Sequence, residues 1–195
     1  MTAGHVWDLF PEGEDRRSRY VEVELGAAGS HAGRELHSLE FCELARGTAD
    51  GWLGDWVLLE TATPCWGPES IACIHPSMAR SDWSSPEGKE VYLAGYLDML
   101  KDSPDSRAPR HANGPHVISG TVASGRGIWM NYHDGWPPPM GGSGGGMYVW
   151  NEDRSRVELV GIFLVYQRWP LGLGHWLSGV PIGMILNETV PAERG

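Results

Sequence analysis

Between Arg19 and Leu25 polar and apolar side chains alternate through Tyr20-Val21-Glu22-Val23-Glu24-Leu25, and a period of two predicts a half-buried β-strand. Gly26-Ala27-Ala28-Gly29-Ser30 breaks the pattern. Leu36, Leu39 and Phe41 within Glu35 to Leu44 suit a second strand, with a helical turn as the alternative, and Trp56 to Glu60 is a third strand. From Thr61 to Pro86 periodicity gives way to Pro, Gly, Ser and Trp, the composition of a connection running over the surface. Strands resume at Glu90 to Tyr96, His116 to Val122 and Gly127 to Tyr132, and the polar, Pro-containing stretch Lys101 to Asn113 reads as a loop. Met147 to Trp150 and Val157 to Phe163 flank the polar Asn151-Glu152-Asp153-Arg154, which predicts a β-hairpin. Gly179 to Leu186 is a last strand running into a short C-terminal helix.

These elements predict an all-β chain in three parts: residues 1–62, a connection over 63–88, and residues 89–195. The 27 glycines and 14 prolines among 195 residues agree with many short strands and tight turns, and the length allows one large or two small cores. No internal repeat stands out.

The net charge of -10 argues against nucleic acid as a partner, because a phosphate-binding surface needs clustered Lys and Arg. The one basic cluster, Arg16-Arg17-Ser18-Arg19, follows Glu12, Glu14 and Asp15 and reads as a solvated hairpin tip. No apolar run has transmembrane length and the N-terminus has no signal-peptide pattern. A soluble protein without membrane association is expected, in the cytoplasm or secreted. Cys42, Cys65 and Cys73 are an odd number without paired CxxC spacing, so neither a zinc site nor a redox motif is expected, and at most one internal disulfide can form.

Three segments carry chemistry: His5 in Thr2-Ala3-Gly4-His5-Val6, Asp55 in Asp55-Trp56-Val57-Leu58-Leu59, and Ser143 in Gly141-Gly142-Ser143-Gly144-Gly145. A serine hydroxyl becomes a competent nucleophile when an imidazole takes its proton, and a carboxylate on the far ring nitrogen orients that imidazole and stabilises its cation. His, Asp, Ser is one of the chain orders in which hydrolase triads occur. Each segment alone has a plainer reading: a linker for the Gly/Ser run, a terminal residue for His5, a turn carboxylate for Asp55. Their order and flanks are what join them.

Around these residues the chain resembles the trypsin-like serine peptidases of the chymotrypsin fold, bacterial in type. TAGHV is similar to that family's TAAHC, DWVLL to its DIALL and GGSGGG to its GDSGGP, while EVYLAGY at 90–96 and VELVGI at 157–162 resemble strands of its second barrel. The resemblance implies two antiparallel β-barrels, an endopeptidase acting on polypeptides through an acyl-enzyme on Ser143, and His5 and Asp55 as base and orienter. It also implies an oxyanion hole from the amides of Gly141 and Ser143, substrate contacts along Pro137, Leu164, Val165 and Tyr166, and no metal or cofactor. Pro137, six residues before the nucleophile, offers no carboxylate, so cleavage after an apolar or small residue is expected rather than after Arg or Lys.

The chain departs from the family at several points. Val6 replaces the cysteine that usually follows the histidine, Gly142 replaces the aspartate that pairs with a newly cut N-terminus, and Gly146 replaces the usual Pro. The family builds several strands before its histidine and none precede Thr2 here, so the first barrel is expected to be incomplete, through a truncated or mis-started frame or with a partner segment or second chain completing it. Two rival functions remain: an inactive domain of this type serving as a binding or scaffold module, and an α/β-hydrolase esterase with GGSGG as its nucleophile elbow, Asp153 and His175 downstream. The other histidines (His31, His37, His75, His111, His116, His133 and His175) have no comparable flanks. The tryptophans, among them Trp52, Trp56, Trp136 and Trp150, suit packing better than a carbohydrate platform.

Overall fold

A computed structural model describes residues 1–11, 18–25, 35–61, 76–82, 87–95, 116–123, 127–132, 141–168 and 175–189. The chain opens on β1 (Thr2–Ala3) and a single helical turn, α1 (Gly4–Trp7), followed by β2 (Ser18–Leu25), β3 (Glu35–Arg46) and β4 (Trp56–Thr61). These four strands form one curled antiparallel sheet in the order β1-β4-β3-β2. Glu35 to Leu44 is therefore strand throughout, and it continues to Arg46.

The second half holds β5 (Glu90–Gly95), β6 (His116–Ala123), β7 (Ile128–Tyr132), β8 (Gly146–Asn151), β9 (Arg156–Arg168) and β10 (His175–Pro181). They close into a six-stranded barrel in the order β10-β7-β6-β5-β8-β9, all neighbours antiparallel. Alternate residues fill its interior: Val91 and Leu93 on β5, Ile118 and Val122 on β6, Ile128 and Met130 on β7, Met147 and Val149 on β8, with Val160, Phe163 and Leu177. Each such apolar side chain withdrawn from water contributes about 1.5–3 kcal/mol. The chain ends its described course in α2 (Ile182–Thr189).

A second apolar cluster lies where sheet, barrel and α2 meet, and contains Ala3, Trp56, Leu159, Ile162, Leu164, Val180, Ile182 and Ile185. It explains the nearly unbroken apolar run of β9. Val160 and Phe163 belong to the barrel interior, while Leu159, Ile162 and Leu164 belong to the outer cluster, so this strand is buried on both faces. Further ties join the halves. Trp52, from the 3-10 turn Gly51–Gly54, meets Trp129 of β7 edge to face at 5.5 Å, and the Thr48 amide donates to Glu188 of α2. The described part of the 63–88 connection is fastened to the barrel, because the Arg80 amide donates to the Leu159 carbonyl at 2.8 Å. The loop expected over Lys101 to Asn113, and Cys65 and Cys73, lie outside the described residues; Cys42 is a free thiol. Among the described residues no helix is long and apolar enough to cross a membrane.

Candidate active site

β1 and β4 pair through Thr2↔Val57 and Ala3↔Trp56, and the ladder continues one step further, with the Gly4 amide donating to the Asp55 carbonyl at 2.9 Å. There β1 turns into α1, and β4 emerges from the 3-10 turn that precedes it. Asp55 uses both carboxylate oxygens at this junction. Oδ1 accepts the His5 backbone amide at 2.8 Å, and Oδ2 lies 2.5 Å from His5 Nδ1. The first amides of a helix have no partner within it, so one carboxylate caps the turn and fixes the imidazole that the turn carries. Close packing accompanies this: a Cβ on Gly4 would stand 2.7 Å from Asp55 Oδ1. The His5 side chain keeps about half its surface, 48%, open to solvent.

Ser143 is built into a tight turn. The Gly145 amide donates to the Gly142 carbonyl at 2.8 Å, making Ser143 and Gly144 the two central residues, and Gly144 has φ +88°. A positive φ at the second central position is the mark of a type II turn and favours glycine there. Space gives the same answer, since a Cβ on Gly144 would lie 2.6 Å from Thr2 Oγ1 and 3.3 Å from the Ala3 nitrogen. The serine turn thus packs directly against the strand that leads into His5. It is anchored from behind by β9: Gly144 donates to the Phe163 carbonyl and Phe163 donates back to the Gly145 carbonyl, at 2.7 and 2.8 Å.

Leu164 is the feature of this site that periodicity does not announce. β9 and β10 pair as Gly179↔Phe163 and then as Ser178↔Val165, leaving Leu164 as the extra residue of a β-bulge. Its side chain is buried in the cluster with Ala3 and Trp56, and its carbonyl accepts the Ser143 hydroxyl at 3.1 Å. Ser143 and His5 are joined by no hydrogen bond among those of the described residues. The structure therefore brings His5 and Asp55 into contact, sets the turn of Ser143 against β1, and turns the hydroxyl toward Leu164.

Of the other expected contact residues, Val165 is half-buried and Tyr166 packs against the barrel core, while Pro137 lies outside the described residues. Gly141, with φ +79°, enters the serine turn. The nucleophile elbow of an α/β-hydrolase requires a helix after its serine; here β8 follows. A ring of charge that was not foreseen borders the site: Asp8 after α1, Arg19 on β2, and Glu43 and Arg46 on β3. Among the described residues no group of three or more His, Cys, Asp or Glu side chains could hold a metal ion. No protein-family model matches the chain, and no curated protein matches it.

Proposed function

We propose that this chain is a serine endopeptidase of the trypsin-like type, its curled sheet and closed barrel standing for the two barrels of that fold. The contact of His5 with Asp55, beside the glycine-bounded turn of Ser143, is the observation that carries the reading. Substrate entering along β9 displaces the Ser143 hydroxyl from the Leu164 carbonyl toward His5 Nε2. Ser143 Oγ attacks the scissile carbonyl as its proton passes to His5, whose Nδ1–H remains on Asp55. Positive charge on the ring is met by that carboxylate, and negative charge on the tetrahedral oxygen by the amides of Gly141 and Ser143. Collapse breaks the C–N bond, and His5 gives its proton to the leaving amine. Water, deprotonated by His5, then attacks the acyl-enzyme, and the second collapse returns the proton to Ser143 and releases the acid. No metal or cofactor takes part in this scheme.

Hydrolysis of a panel of internally quenched peptides tests it. Cleavage after apolar or small residues is expected, with loss in Ser143→Ala and a fall of about 10⁴ in turnover for Asp55→Asn, which keeps the shape of the orienter but imposes the wrong tautomer on His5. Strong preference for Arg would overturn the specificity, and turnover unaffected by Ser143→Ala would overturn the mechanism. One observation favours a second reading, a binding or scaffold module: Ser143 is held by Leu164 and not by His5. A chain that folds but cleaves no member of the panel would support it.

A further inference from the structure

A four-residue helix has no stability of its own, since nucleation is costly and a single turn returns few bonds. Asp55 holds α1 at its N-terminal end. At its other end Arg46 makes a two-point ion pair with Asp8, Nη1 to Oδ2 at 3.0 Å and Nη2 to Oδ1 at 2.8 Å. The same guanidinium reaches Glu43 through Nε and Nη2, at 3.2 and 2.9 Å, and Glu43 Oε2 accepts the indole N–H of Trp7, the last residue of α1, at 3.1 Å. Arg19 completes the arrangement from β2. It stacks over Trp7 at 5.4 Å, stands 3.8 Å from Asp8 Oδ1 and donates to the Phe10 carbonyl.

Arg46 thus ties both ends of the Trp7-Asp8 step to β3, and β3 pairs with β4, the strand that follows Asp55, through Arg46↔Val57. The hydrogen bond from Arg46 also holds the Asp8 carboxyl below its ordinary range, so the ion pair persists through neutral pH. We infer that Arg46 is a positioning residue for His5: by clamping the C-terminal end of α1 through Asp8 and Glu43, it keeps the His5 ring in register with Asp55. The inference rests on the peptidase reading for its catalytic consequence, and on the fold alone for its structural one. Displacement of a catalytic group by about 1 Å costs on the order of 10²-fold in rate, and without Arg46 the C-terminal end of α1 keeps only the burial of Trp7 and its contacts with Glu43 and Arg19.

The test pairs kinetics with amide hydrogen exchange at His5, whose N–H donates to Asp55 Oδ1. In Arg46→Ala, exchange at His5 is expected to accelerate at least ten-fold while protection in the barrel strands is unchanged, and kcat to fall about 10- to 100-fold with KM within a factor of two. Arg46→Lys, whose single ammonium cannot bridge both carboxylates as a guanidinium fork does, is expected to recover part of kcat. Wild-type exchange and kcat in Arg46→Ala would overturn the inference, as would equal losses in kcat and 1/KM with no recovery in the lysine variant. If Arg46→Ala fails to fold, Asp8→Asn, which removes one half of the ion pair from an exposed position, is read in the same way. A wild-type chain that cleaves nothing, with His5 exchange still accelerated in Arg46→Ala, would retire the peptidase reading and leave the clamp standing.

Discussion

Asp55 and Glu158 are two carboxylates held for different ends. Asp55 faces a partly open imidazole and caps the turn that carries it, the geometry that the proposed mechanism uses. Glu158 on β9 is almost wholly buried and is surrounded by Arg80, Arg154 and Arg156, at 3.6, 3.5 and 3.4 Å. A hydrogen bond from Asn151 and the pull of these guanidinium groups hold its carboxyl below the ordinary value of 4.5. Because the folded-state pKa is depressed, the stability it contributes is complete above about pH 4.5 and is lost as pH falls through the lower folded value. Glu158→Gln removes that titration. Urea midpoints measured between pH 7 and 3 are expected to fall more steeply in the wild type than in the glutamine variant; parallel falls would show that Glu158 does not couple folding to pH.

At the scale of the element, the serine turn is fixed by its hydrogen bonds to β9 and by close packing on β1. Gly144→Ala meets two obstacles, a positive φ that costs an L-residue about 1–2 kcal/mol and contact with Thr2 and Ala3. Gly88 supplies the control, with φ +78° and no atom within 4 Å of an added Cβ. Gly88→Ala is expected to show the strain alone. Gly144→Ala is expected to lower the urea midpoint further and to slow cleavage at least ten-fold; equal midpoints for the two variants would refute the packing of this turn on β1. The glycines around Ser143 were legible in sequence because special dihedrals select a residue type. The strand Thr2–Ala3 and the turn Gly4–Trp7 were not, since two residues show no periodicity and a four-residue helix is imposed by Asp55 and Arg46 from outside. The bulge at Leu164 was hidden for a related reason: it arises from the register between β9 and β10, which a single strand does not carry.

Across the whole molecule, apolar burial is unequal. Of the buried apolar side chains among the described residues, Ala3, Trp7, Trp56 and Val57 come from the first sheet and its turn, and all the others from the barrel and α2. Alternation in Tyr20 to Leu25 or Glu90 to Gly95 foretold that both halves would be β, because each strand carries its own period. It could not foretell that Ala3 and Trp56 share a core with Leu164 and Ile182, because that contact joins segments more than a hundred residues apart. The sheet is thereby seated on the barrel through the residues that flank the proposed triad: Ala3 precedes His5 by two, Trp56 follows Asp55, and Leu164 holds Ser143. One cluster thus lies beside all three residues of the proposed triad. The most direct test is reaction of the purified chain with a fluorophosphonate, followed by intact mass and peptide mapping, with Ser143→Ala and His5→Ala alongside. A single adduct on Ser143 that is absent from both variants is the predicted result; a folded wild-type chain that takes up no label, or one labelled equally in His5→Ala, would contradict the account.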